Sequence, residues 1–302
     1  MEAITKTDSY HSQTPRINWY PGHMAKALRK VSERIKMVDL VLEVRDARAP
    51  LATGNESLAK LVMNKKRLVI LNKSRLATPH SVKIWKDWFR SQEIPFLFID
   101  ALEKQSPKLI LSQAREIMKE KVQRFVEKGY RPPPTRTLVV GIPNTGKSTI
   151  INRLVGRQAV ETGDRPGITQ TQQWIILGKE FELLDTPGIM PPRIDTDEEG
   201  YWLCALYAIK DSIIGKERVA SYVIDFLNKT DNTLLKEKYH LEDREFVNSQ
   251  DVLESIGIKN KLLKAKGSVD LKKVSDRVLT DFRKGSIGQC CFQLPEGNPP
   301  SK

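Results

Sequence analysis

The string Gly141-Ile-Pro-Asn-Thr-Gly146-Lys147-Ser148 limits the folds open to this chain of 302 residues more than any other feature. It follows the apolar run Leu138–Gly141 and opens the helical pattern Lys147–Val155, the strand, loop and helix order of a phosphate-binding loop. Glycines let the backbone wrap a phosphate, and the amides at the helix start point toward it. Lys147 reaches the outer phosphate oxygens and Ser148 can ligate Mg²⁺, with Asn144, Thr145, Gly146 and Thr149 completing the cradle.

The surrounding pattern predicts what carries this loop. Spacings of three and four among Met24, Leu28, Val31 and Ile35 predict a helix over about 23–37, after a loose polar arm over 1–16. Leu40–Val44, Leu68–Leu71 and Phe96–Ile99 are dense in apolar residues, as buried parallel strands are, and Asn55–Met63 and His80–Gln92 between them read as helices. A long helical stretch, Ser106–Lys128, stops at Gly129, and Arg131-Pro-Pro-Pro134 forms an extended linker. Strands resume at Trp174–Leu177 and Phe181–Leu184, after which apolar residues such as Val219, Val223, Phe226 and Leu227 take helical spacing. The expectation is an α/β unit with a doubly wound, mostly parallel sheet over 17–198, followed by a small all-helical unit with a polar tail over 199–302.

Further strings fall where strands end, the edge at which α/β sheets bind ligands. Asp185-Thr-Pro-Gly188 could hold a Mg²⁺ shell through Asp185 and meet a γ-phosphate with the Gly188 amide. Thr169, with Thr171 as competitor, lies in an aperiodic segment able to close over the metal when the γ-phosphate is bound. Asn72-Lys73-Ser74-Arg75 matches the base-reading pattern N-K-x-D except at its last place. Arginine has five donors and no acceptor, so Arg75 cannot make the aspartate's contact with guanine. Restoring an acceptor with Arg75→Asp is expected to tighten GTP and GDP more than ATP.

The base-reading string (72–75) precedes the phosphate loop (141–148), the switch threonine (169) and D-T-P-G (185–188), the reverse of a Ras-like chain. This order resembles the circularly permuted P-loop GTPases of the YlqF/RbgA family of ribosome-assembly factors. Trp19-Tyr-Pro-Gly-His23-Met-Ala-Lys26, Asp46-Ala-Arg48-Ala-Pro50 and Pro166-Gly-Ile-Thr169 add to the likeness, which covers about 17–230 well. The resemblance implies a GTPase that binds GTP and GDP with Mg²⁺ and acts on a late precursor of the large ribosomal subunit and its rRNA. It also implies that Asp100-Ala101 lies where backbone amides meet guanine O6, and that Asn144 is the residue that ligates K⁺ in potassium-dependent relatives. His23 would either orient the attacking water or cap the 23–37 helix. An orienting group is needed because Ile189 occupies the place after D-x-x-G where Ras-like enzymes carry glutamine. Asp46 and Arg48 are expected to pair and fix their loop.

Charge and cysteine usage constrain the setting. With 50 basic and 37 acidic residues the net charge is +13, larger than solubility requires and suited to a polyanionic partner. Lys259, Lys261, Lys264, Lys266, Lys272, Lys273, Arg277, Arg283 and Lys284 crowd the C-terminal part, where they could meet RNA phosphates. The 3 cysteines cannot all pair, which points to a reducing compartment, and the 4 histidines are too scattered for a zinc site. The first residues lack the pattern of a presequence and no apolar run spans a bilayer, so a cytoplasmic monomer is expected. Two other functions are open to such a chain: a nucleotide-independent RNA-binding scaffold, or an NTPase with base selectivity relaxed by Arg75.

Overall fold

A computed structural model describes residues 29, 31–156, 174–186, 188–190, 194, 196–242 and 246–295. His23, Thr169 and Thr171 lie outside them.

Six strands form one sheet: β1 (Leu40–Asp46), β2 (Lys66–Asn72), β3 (Phe96–Phe98), β4 (Thr135–Val140), β5 (Trp174–Leu177) and β6 (Phe181–Asp185), in the order β3-β2-β1-β4-β6-β5. All neighbours are parallel except β5, which runs antiparallel to β6 at one edge. The order winds outward from β1 and β4 in opposite directions, so the switch point lies between those two strands. A doubly wound sheet binds its ligand there, beyond the carboxyl ends of the strands.

Successive residues of each central strand face opposite sides. Leu40, Leu42, Ile70 and Val139 pack against Ile110, Ala114 and Met118 of α3 (Ser106–Glu127) and Ile150, Ile151 and Leu154 of α4 (Lys147–Val155). On the other side Val41, Leu138, Val140 and Leu184 meet Leu58 of α1 (Glu56–Leu61) together with Val31 and Ile35, while Val69 and Leu71 meet Trp85 and Phe89 of α2 (Pro79–Ser91). Burial on both faces explains the continuous apolar runs. Asn55 caps α1 by accepting from the Leu58 amide, and Thr78 caps α2 by accepting from the Ser81 amide.

The helices α5 (Asp197–Ala205), α6 (Lys216–Thr230), α7 (Thr233–Tyr239), α8 (Ser249–Lys259) and α9 (Leu271–Lys284) follow the sheet. Val219, Val223 and Leu227 of α6 and Val274, Val278 and Phe282 of α9 share one core, and that core also takes in Ala49, Ala52, Ile142 and Met190 from the loops of the sheet. The helices are therefore packed onto the ligand edge. Gly285 ends α9 in the left-handed conformation at φ 74°.

Beyond α9 the chain returns to the sheet, a course that its polar composition does not signal. The Cys290 amide donates to Leu76 O (3.0 Å) and the Phe292 amide to Arg48 O (2.8 Å). Gln293 Oε1 accepts from the Leu51 and Ala52 amides at 3.0 and 3.1 Å, and its carbonyl accepts from Trp85 Nε1 at 2.8 Å. This strap clasps the loops that follow β1 and β2.

Candidate nucleotide-binding site

Five parallel strands end on one edge, and each delivers one of the sequence motifs there. The phosphate loop joins β4 to α4. Its Gly146 adopts φ 95°, and a Cβ at that position would run into the Asn72 side chain. The residue is glycine for both reasons. Asn144 is also left-handed, at φ 61°, a conformation that asparagine tolerates better than most residues.

Asn72 and Lys73 act on this loop from the neighbouring strand end. Asn72 Nδ2 donates to Thr145 O (2.8 Å), and its Oδ1 accepts from the Ala101 amide (2.9 Å), so one side chain ties three loops together. Lys73 Nζ donates to Asn144 O at 2.6 Å and lies 3.0 Å from Asp46 Oδ2. Asp46 in turn receives Arg48 on both carboxylate oxygens, each at 2.9 Å. Burial alone would raise the Asp46 pKa, but Arg48 and Lys73 hold it well below the usual carboxylate range. The expected Asp–Arg pair forms, and it fixes the loop through which Lys73 reaches across.

Lys147 is buried and its Nζ donates to Ile142 O at 2.9 Å. Burial pushes its pKa down to about 8, against the opposing attraction of Asp185 and with a further lowering from Lys73. A buried ammonium with a depressed pKa is suited to an anionic ligand, because phosphate charge would restore what desolvation removes. Asp185 ends β6, buried beside it. Gly188 lies against the phosphate loop, where a Cβ would come within 2.6 Å of Pro143 N. Ser148 and Thr149 open α4 at the cavity wall. No cluster of three or more metal-ligating His, Cys, Asp or Glu exists among the described residues. A Mg²⁺ bound mainly by phosphates and water needs only the hydroxyl and carboxylate that Ser148 and Asp185 offer.

Ile189 is fully buried in the sheet's core, with its amide donating to Gly141 O at 3.1 Å and its carbonyl accepting from Asn55 Nδ2 at 2.9 Å. It is a packing residue that draws the D-T-P-G segment onto the phosphate loop, and its side chain faces away from the cavity.

Arg75 departs from expectation most. Its Nε lies 2.7 Å from Asp100 Oδ2, and its carbonyl accepts from Gln289 Nε2 of the strap at 2.8 Å. The single substitution Arg75→Asp would therefore set two carboxylates against each other. Like charges at that separation repel, so the tightening of guanine nucleotides expected from this change alone does not follow.

A cavity of about 660 Å³ joins these groups, within the range of small-molecule sites. Asn72, Lys73, Asp100, Ala101, Asn144 and Lys147 contribute to its wall, together with Tyr207, Thr280, Arg283 and Lys284 from the helices. Tyr207 and Thr280 could not be foreseen, because no motif marks them, while Arg283 and Lys284, expected as contacts for RNA phosphates, line this cavity. Asn144 Nδ2 donates to Tyr207 O at 2.6 Å, and Arg283 stacks over the Tyr207 ring at 4.4 Å while bonding Ala205 O and Cys204 O at 3.0 Å. A larger, open cleft of about 980 Å³ lined by Lys60, Lys66, Glu93 and Lys119 contains none of the motif residues.

Comparison with known proteins agrees with this geometry. The model of the 50S ribosome-binding GTPase family matches residues 136–258. The chain is 40% identical over 280 residues to the ribosome biogenesis GTPase A of Bacillus pumilus, covering 93% of this chain and 99% of that one. It is 42% identical over 283 residues to the same-named protein of Bacillus cereus, covering 93% and 94%. Among solved structures, GNP-bound YlqF from T. maritima is similar with a TM-score of 0.64 at 26% identity, over 90% of this chain and 99% of that one. With its phosphate loop, its N-K pair and D-T-P-G gathered on one sheet edge in permuted order, the chain belongs to the ribosome biogenesis GTPase A family.

Proposed function

We propose that the protein binds GTP in the cavity at the β1/β4 switch point and hydrolyses it to GDP and phosphate on a late precursor of the large ribosomal subunit. The observation that carries this reading is the convergence of Lys147, Asp185, Gly188 and the Asn72-Lys73 clamp around one phosphate loop. Lys147 would neutralise the outer phosphates, and Asn72 and Lys73 hold the loop carbonyls so that its amides stay aimed at them. Ser148 and Asp185, joined by Thr169, would hold Mg²⁺, which would supply positive charge to offset that of the phosphates. Asn144 could ligate K⁺ through its side-chain oxygen, since its amide nitrogen donates to Tyr207. His23 is the candidate for orienting water. The relatives' printed names support the ribosomal setting.

Partner contact would fall to the helical unit, assigned here to 199–302, with the nucleotide unit assigned to 17–198. Lys259, Lys261, Lys264, Lys266 and Lys272 are all exposed along α8, the following loop and the start of α9, a stretch suited to rRNA phosphates. Lys273, Arg277 and Arg283 pair within the chain with Asp270, Asp281 and Asp211. No described helix is long and apolar enough to cross a membrane.

The test is GTP turnover by purified protein with and without precursor particles, beside binding of GTP, GDP, ATP and XTP. With Ile189 turned inward, slow turnover alone and a large acceleration on particles are expected. Equal rates at saturation would remove the particle from the mechanism, and absence of nucleotide binding would leave the scaffold function. A wild-type stimulated rate in His23→Ala would exclude the histidine.

A further inference from the structure

We propose that Asp100, rather than the fourth residue of the N-K-S-R string, supplies the carboxylate that reads guanine, and that Arg75 is its counter-charge. The inference deepens the GTP-binding reading above and rests on it. Guanine presents an acceptor, O6, beside two donors, N1–H and the 2-amino group. A site that selects it needs an acceptor for those donors, and a guanidinium has none to offer.

Asp100 follows directly on the end of β3 and lines the same cavity as Asn72, Lys73 and Gly146. Among the described residues of that wall it is the only carboxylate. Its backbone is fixed on both sides: the Ser74 amide donates to Ile99 O (3.0 Å), the Ala101 amide to Asn72 Oδ1 (2.9 Å), and Ser106 Oγ to Asp100 O (2.5 Å). The residue as a whole is 3% exposed. Oδ1 accepts from the Leu102 amide at 2.9 Å, which sets the plane of the carboxylate. Oδ2 faces Arg75 Nε at 2.7 Å, yet it accepts no hydrogen bond of good geometry and is one of few buried polar atoms so placed among the described residues. A buried acceptor with capacity left is costly unless a ligand uses it.

The N-K-x-D pattern puts the carboxylate at position 75; here that position carries a guanidinium, and the carboxylate it touches is Asp100. The Arg75 side chain is 49% exposed, whereas the Asp100 side chain it pairs with is 4% exposed and held by the bonds above. Loss of Arg75 would leave the carboxylate in place, whereas loss of the carboxylate would leave no acceptor.

Competition binding of GDP, IDP, XDP and ADP to the full chain tests this. IDP lacks the 2-amino group, and XDP carries a carbonyl in its place. Wild-type protein should prefer GDP to IDP by roughly tenfold to a hundredfold, the worth of a hydrogen bond to a charged acceptor. Asp100→Asn, which keeps the shape, should abolish that preference and raise XDP relative to GDP, because an amide can donate to the xanthine carbonyl. Arg75→Gln should keep the preference for GDP. Arg75→Asp with Asp100→Ser, which returns the charge to the common position, should restore it. Equal weakening of GDP and IDP by Asp100→Asn would mark Asp100 as structural and overturn the proposal. Loss of the preference in Arg75→Gln but not in Asp100→Asn would do the same. If wild-type protein binds GDP and ADP alike, guanine reading itself fails, an outcome visible before any variant is made.

Discussion

Lys147 is a cation held where water scarcely reaches, so its charge is costly until a phosphate arrives. Lys147→Ala should lower affinity for GTP and GDP by roughly a hundredfold or more, through loss of charge-assisted hydrogen bonds, while far-UV circular dichroism stays unchanged. The same lysine makes binding depend on pH. Its pKa is about 8 in the folded protein against an ordinary 10.5, so above pH 8 a growing fraction is neutral and must take up a proton on binding. Nucleotide affinity should fall as pH rises through 8, and calorimetry in buffers of different ionisation enthalpy should show the proton uptake. Stability without nucleotide should move the other way. Between pH 8 and 10.5 the unfolded chain binds the proton that the folded one has released, so this residue's contribution to stability rises with pH. An affinity flat from about pH 7 to 9 would separate Lys147 from the phosphates.

Among the elements, the strap from Gln289 to Gln293 acts on both the helical core and the cavity loops. Phe292 packs against Trp202, Tyr222, Phe226 and Phe282, and its amide reaches Arg48 O. Phe292→Ala should cost about 3 to 5 kcal/mol in urea unfolding, as a cavity opens beneath a buried ring. Because Gln289 and Cys290 hold the carbonyls of Arg75 and Leu76, it should also weaken nucleotide binding, although Phe292 does not line the cavity. The strap cannot be read from sequence, since its hydrogen bonds and ring contacts reach loops and helices distant along the chain. The strands, α4 and the phosphate loop can be read, because two-sided burial and phosphate geometry each demand particular residue types at fixed spacing. The Arg75–Asp100 pair falls between these cases. Arg75 stands out as a departure from the N-K-x-D pattern, but only the fold shows that it touches Asp100. Ile189 stands out in the sequence for the glutamine it is not, while its burial depends on which way the backbone turns after Asp185.

For the whole molecule, the +13 charge and the exposed lysines of α8 and α9 set how a partner would be held. If rRNA phosphates are that partner, association with precursor particles should fall steeply with salt. Replacing Lys261, Lys264 and Lys266 by glutamate should flatten the dependence of log K on log salt by about one unit for each phosphate no longer neutralised, with nucleotide affinity unchanged. A salt slope identical to wild type would place the RNA-binding surface elsewhere on the molecule.

Besides the core they share and the Asn144–Tyr207 hydrogen bond, two stretches of chain join the helices to the nucleotide unit. Along the sequence α5 follows the D-T-P-G string, and the strap returns from α9 to the carbonyls of Arg75 and Leu76. One stretch therefore starts beside the phosphate loop and the other finishes beside the N-K-S-R string. Free-energy coupling between two sites is reciprocal. Whatever factor the bound nucleotide applies to the helices' affinity for a partner, the partner must apply to the nucleotide in return. A particle that favours the GTP-bound placement of α5 to α9 would thus slow GTP release before hydrolysis, and the same grip would weaken for GDP afterwards. If a precursor particle is that partner, one ligand would act as a timer for the other.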